Sequence, residues 1–105
     1  MKIINSLFLF ATLALSVNCI AGYDEDVAIM TKGMPKQVKK VIERQVACNH
    51  WAGEEAYDDA RAKEITTAVA SLKCETLEQD ELRLIKKYQS NAKVKSAIQQ
   101  AKDFY

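Results

Sequence analysis

Glycine and proline are scarce, three and one in 105 residues, and no stretch alternates apolar with polar side chains as a half-buried strand does. Both shortages exclude a turn-rich β-architecture, because tight hairpins need residues that accept positive φ. Internal repeats and low-complexity tracts are missing too. Beyond the N-terminal segment no apolar run approaches the ~20 residues of a membrane span. No serine is framed by glycines, no glycine-rich loop could cradle phosphates, and no two cysteines form a Cys-x-x-Cys pair. Serine-hydrolase, nucleotide-dependent and thiol-oxidoreductase chemistry therefore lack their residues. The chain is read as non-enzymatic, and no cofactor is expected.

What is present starts at the N-terminus. Met1-Lys2 is a positive start, residues 3–17 are largely apolar, and Cys19-Ile20-Ala21 places small residues at the two positions a signal peptidase reads. A signal peptide over residues 1–21 and a mature helical domain over 22–105 are expected, with a periplasmic or secreted location. The apolar run is short for a bilayer span, and the acidic Tyr23-Asp24-Glu25-Asp26 follows at once, so no stable membrane anchor is expected. Acylation of Cys19 competes with simple cleavage. Ser16-Val17-Asn18 fits it poorly, having neither a small residue directly before the cysteine nor an aliphatic one three places before it.

Loss of the leader leaves two cysteines, Cys48 and Cys74, in an oxidising compartment, where a disulfide is the natural state and two buried free thiols the alternative. Closing a loop of this length is worth about 3.5 kcal/mol in the chain-entropy model. That is a large share of the ~5–8 kcal/mol expected for a domain of this size. Removing Lys2 takes the formal charge from +1 to zero, so no general attraction to nucleic acid or to an anionic membrane follows. The charges are segregated nonetheless. Residues 32–44 and 83–102 are basic, while 54–64 and 75–81 are acidic, a pattern that serves either pairing between helices or a dipolar binding face.

Hydrophobic spacing predicts a small all-α bundle of about four helices. Residues 23–30 form an acidic-then-apolar piece of one or two turns, stopped at Gly33. Pro35 suits the first turn of a helix whose Val38, Val41, Ile42, Val46 and Cys48 share a face. Gly53 interrupts that pattern, so residues 49–56 are expected to be loop. Asp58 or Asp59 can cap a second helix with Ala62, Ile65, Val69 and Leu72 inward. Thr76-Leu77-Glu78-Gln79 has the form of a capping box, opening a third helix with Leu77, Leu84, Ile85 and Tyr88 on one face and Leu82 turned towards the N-terminal piece. Residues 92–104 make the fourth, with Val94, Ala97, Ile98 and Ala101 inward.

The chemistry-bearing residues crowd into residues 48–59, which hold the only histidine and the only tryptophan. The candidate binding loop comprises His50, Trp51, Glu54, Glu55, Tyr57 and Asp58. His50 and Glu54 are four apart and would form a metal-ligand pair on a helix, but a bridged Cys48 cannot ligate and Gly53 opposes helix there, so no metal is assigned. Trp51 admits two accounts. It covers the disulfide with Tyr57 beside it, or the two aromatics and their carboxylates dock a basic protein partner. The terminal Phe104-Tyr105 pair likewise packs back or offers an apolar end.

Through Cys48-x-His50-Trp51-x-Gly53-Glu54-Glu55, Tyr57-Asp58, Arg61, Leu72-x-Cys74 and Tyr88, the chain resembles a group of small uncharacterised exported proteins of Gram-negative bacteria, over most of its length from Pro35 onward. A looser likeness, in Cys74, Leu77, Asp80 and Tyr88, is to periplasmic lysozyme-inhibitor-like helical domains, whose spacings differ and whose inhibitory residues do not carry over. The expected function is that of a non-catalytic periplasmic protein-binding module, inhibitor-like or immunity-like. The alternative is small-ligand or metal-ion binding through His50 and the neighbouring carboxylates. The expected partner is a periplasmic or secreted protein and not a nucleic acid.

Overall fold

The computed structural model describes residues 21–105, with side chains from Asp24 onward. The expected signal peptide lies outside the described residues apart from Ala21. The described chain is all-helical: α1 (Ala21–Thr31), α2 (Lys36–Ala52), α3 (Asp59–Leu72), a single 3-10 turn (Cys74–Thr76), α4 (Leu77–Lys87) and α5 (Ala92–Lys102). The all-α class is as the periodicity predicts. The helix count rises because the N-terminal piece is a full three-turn helix, ended at Gly33 with φ +73°, a conformation that only glycine adopts without strain.

The second helix, α2, is the axis of the bundle and packs against every other helix. Pro35, φ −55° and ψ 148°, leads into it and lacks only an N–H that would have had no partner. Its buried residues are the predicted stripe, Val38, Val41, Ile42, Val46 and Cys48. Against them α5 buries Val94, Ala97, Ile98 and Ala101, and α4 buries Leu77 and Leu84. Complete burial of Ile42 and Ile98 is worth about 2 kcal/mol each before the entropy of ordering is counted. Val27 and Thr31 carry α1 onto this core, and the Thr31 hydroxyl donates to the Val27 carbonyl at 2.8 Å, so its burial orphans nothing. Leu82 does not meet α1 as expected. It is 56% exposed, because α1 packs on α2 and α5 rather than on α4.

The third helix is an arm rather than a core element: no side chain of α3 is fully buried, and its apolar stripe of Ala62, Ile65, Val69 and Leu72 is only half covered. Covalent and polar ties compensate. Cys48 and Cys74 form the expected disulfide, with Cα atoms 5.8 Å apart and a sequence separation of 26. Beside it Arg44 spreads its guanidinium over three acceptors, Leu72 O at 3.0 Å, Lys73 O at 3.0 Å and Asp80 Oδ2 at 2.9 Å. The two carbonyls belong to the end of α3, where such groups lack helical partners. Lys73 turns the chain there in the left-handed region, φ 54° and ψ 48°.

Two local expectations fail. Residues 49–52 are helical, not loop: α2 runs to Ala52, and Gly53 closes it through N–H bonds to Asn49 O and His50 O at 3.3 and 3.2 Å. The glycine therefore ends the helix one turn later than its disruption of the apolar pattern suggested. Thr76 does not form a capping box. The preceding 3-10 turn already places it at φ −102° and ψ 0°, and its hydroxyl points back to Lys73 O at 3.2 Å. The expected Asp58 cap does form, its Oδ1 accepting from the Arg61 N–H at 2.7 Å.

Candidate functional site

Three segments meet at one end of the bundle: the last turn of α2, the loop to α3, and the C-terminal tail after α5. Because α2 stays helical to Ala52, His50 and Trp51 project from its end. The loop then folds back far enough to set Glu54 Oε1 3.3 Å from His50 Nε2. The pair that the glycine was expected to separate is thus formed after all, without a continuous helix between its members.

Glu54 is shared. Its Oε2 accepts from Arg61 Nη2 at 2.8 Å, and Arg61 Nη1 reaches Glu64 Oε1 at 3.0 Å. The Arg61 guanidinium also lies over the Trp51 ring, 5.3 Å from its centroid, an arrangement in which the indole face attracts the cation. Hydrogen bonds donated to Glu54 and then to Glu64 hold the Arg61 pKa above its ordinary value, while burial opposes them. The Nε of Arg61 is buried without a partner. A cation therefore already occupies Glu54, the carboxylate that a metal on His50 would share. Among the described residues no three His, Cys, Asp or Glu side chains converge as ligands.

Trp51 has a cation over its ring and a second ring at its edge. Its ring is half-buried between Arg61 and His50, the latter edge-on at 5.5 Å between centroids. Tyr57 is 80% exposed, and Tyr105 is 75% exposed although its ring stands 6.1 Å from that of His50. Glu55 and Asp58 are exposed, Asp58 being occupied as the cap of α3. Of the candidate loop residues, then, His50, Trp51 and Glu54 form one cluster, Asp58 is structural, and Glu55 and Tyr57 face outward.

Sequence reasoning missed a polar chain beneath this end of the bundle. Asn49 Nδ2 donates to Ala101 O and Phe104 O, at 2.9 and 3.1 Å, pinning the end of α5 and the tail. Its Oδ1 accepts from Gln45 Nε2 at 2.7 Å. The far end of the Gln45 amide lies 2.8 and 2.9 Å from the two carboxyl oxygens of Glu81, which is 1% exposed. Direction propagates along this chain. With Asn49 committed to two carbonyls, Gln45 must donate to it, and the Gln45 oxygen must then accept from Glu81, so a proton on Glu81 satisfies every member. An ionised Glu81 would need Gln45 to turn over, setting its oxygen 2.7 Å from Asn49 Oδ1 with no proton between them. Burial is the main force raising the Glu81 pKa; Lys102 opposes it, Glu78 reinforces it and Arg44 opposes it. The available signal was positional, since Glu81 fills the gap between Leu77 and Leu84 on the buried face of α4. Asp80, next along α4, goes the other way. The hydrogen bond from Arg44 holds its carboxyl below the usual range.

Fold and site together define a small disulfide-clipped helical bundle with one acidic, aromatic end. Compared with family models, with curated proteins and with solved structures, the chain matches none.

Proposed function

We propose that the protein is an exported, non-catalytic protein-binding module that docks a basic partner through the end of the bundle carrying His50, Tyr57 and Tyr105. The observation that supports this most is the exposure of Tyr57 and Tyr105 in surroundings where Arg61 is already consumed by Glu54 and Glu64. Glu55 and Asp59 are left to set an acidic rim. Exposed tyrosines within a charged rim are the composition of binding hot spots, where the ring supplies area at small entropic cost and the charges supply steering. The covalent clip between Cys48 and Cys74 suits a domain that must persist outside the cell. The resemblance to small exported proteins of Gram-negative bacteria agrees with this reading.

The proposal is tested by affinity capture from periplasmic and culture-fluid fractions, comparing the wild type with a Tyr57→Ser, Tyr105→Ser, Glu55→Lys variant. A protein retained at low salt, released at high salt and lost in the variant supports it. Retention of nothing, or of the same proteins by both, refutes it. Mass spectrometry of the exported chain addresses location, with Gly22 expected as the first residue.

A further inference from the structure

The opposite end of the bundle has a different chemistry. There α2 begins, α4 ends and α5 begins: Lys87 Nζ donates to Gln37 Oε1 at 3.2 Å, and a turn closed by the Asn91 N–H to Tyr88 O bond, 2.8 Å, joins α4 to α5. Lys36, Lys40, Lys86, Lys87, Lys93 and Lys95 are all exposed on these segments. No Asp or Glu occurs in residues 31–42 or 82–102. Among the described residues none of the six lysines takes part in an ion pair. The N-termini of α2 and α5 meet the C-termini of α1 and α4 at this pole, so the helix dipoles offset one another and the lysines alone carry its charge. The neutral sum of the mature chain thus conceals a basic pole at the far end from the acidic one.

An apolar feature adjoins it. Ile29 is 67% exposed, and with Met30 and Met34 it borders a shallow groove completed by Ala92, Lys93 and Ala97. We propose that this pole docks peripherally on an anionic lipid surface, the lysines meeting headgroups and Ile29 entering the interface beside them. The pole is made of lysines, compact hydrated charges on flexible stems that suit a diffuse array of headgroups. Nucleic-acid sites instead rely on the bidentate forks of arginine and on exposed stacking rings. Arg83 is tied to Asp80 at 3.2 Å, and Tyr88 is half-buried with Lys87 over its ring at 5.5 Å. Among the described residues no helix is long and apolar enough to cross a membrane, so the contact is superficial. Docking in this way leaves Tyr57 and Tyr105 directed away from the lipid, free for the partner proposed above.

Each lysine brought to an anionic leaflet strengthens partitioning about fivefold, less where curvature keeps it from the surface. The full chain, as isolated, is floated with phosphatidylcholine vesicles and with vesicles containing phosphatidylglycerol, at low and high salt. Binding is expected to the second alone and to fall with salt. The Lys36→Gln, Lys40→Gln, Lys86→Gln, Lys93→Gln variant should lose more than ~30-fold in affinity, and Ile29→Ser about fivefold, both with unchanged circular dichroism and melting. Equal binding to neutral vesicles, no binding to anionic ones, or an unaffected lysine variant overturns the proposal. So does tighter binding to a DNA duplex at matched phosphate and salt.

Discussion

Replacing Glu81 by glutamine should stabilise the protein at pH 8 and leave its stability nearly unchanged at pH 4. The carboxyl group is 1% exposed, and its neighbour Gln45 presents an oxygen to it when Gln45 donates to Asn49. Glutamine at this position offers an N–H to that oxygen and carries no charge, whereas at pH 8 the wild-type residue must either hold a proton against the solvent or reverse the chain. A buried polar group deprived of its partner costs about 1–3 kcal/mol. Glu81 also lines a shallow cleft with Glu78 and Lys102, so water and the lysine relieve part of this, and a gain of about 1–2 kcal/mol is expected. The sign follows from linkage. Burial raises the folded-state pKa, so the stability associated with neutral Glu81 is fully present below the unfolded value and is lost as pH rises through the folded one. Asp80, held low by Arg44, contributes the opposite trend at acid pH, but equally in both proteins. Urea unfolding of wild type and variant from pH 4 to pH 8 reads the difference. A difference that does not change with pH refutes the proton assignment.

Reduction of the disulfide should lower stability by about 3.5 kcal/mol, and hydrogen exchange should show α3 losing protection before α5, because α3 buries no side chain of its own; two titratable thiols in the oxidised, denatured protein would contradict the bond. Trp51→Ala should cost about 2 kcal/mol, less than a fully buried indole would, while His50→Ala should cost less than about 0.5 kcal/mol, since the histidine is exposed; equal losses in thermal unfolding would show that the His50–Glu54 contact matters as much as the indole and refute the ranking. Lys73→Gly should raise stability by about 0.5–1 kcal/mol, because the left-handed conformation at φ 54° strains any residue with a Cβ; a loss in urea unfolding would mean that the backbone there is not strained.

The core of this protein was legible one residue at a time. The spacing of Val38, Val41, Ile42, Val46 and Cys48, and of Val94, Ala97, Ile98 and Ala101, determines which faces of α2 and α5 are buried, because helical periodicity is local and a buried stripe needs no knowledge of its partner. The bond between Cys48 and Cys74 was accessible once Cys19 was assigned to the expected signal peptide, since the two remaining cysteines allow one pairing. The arrangement around Glu54 was not. Arg61 meets it through a loop reversal, and the His50 contact forms despite the end of the helix. Nor could the sequence alone orient the chain from Glu81 through Gln45 and Asn49 to the carbonyls of Ala101 and Phe104. Hydrogen-bond direction depends on which donors and acceptors three different helices bring within 3 Å, a long-range fact on which local propensity is silent. The separation of charge into two poles is of the same kind: the runs are visible in the sequence, but the pairing of α2 with α4 and α5 decides that six lysines gather at one end and Tyr57, Tyr105 and the acids of the α2–α3 loop at the other.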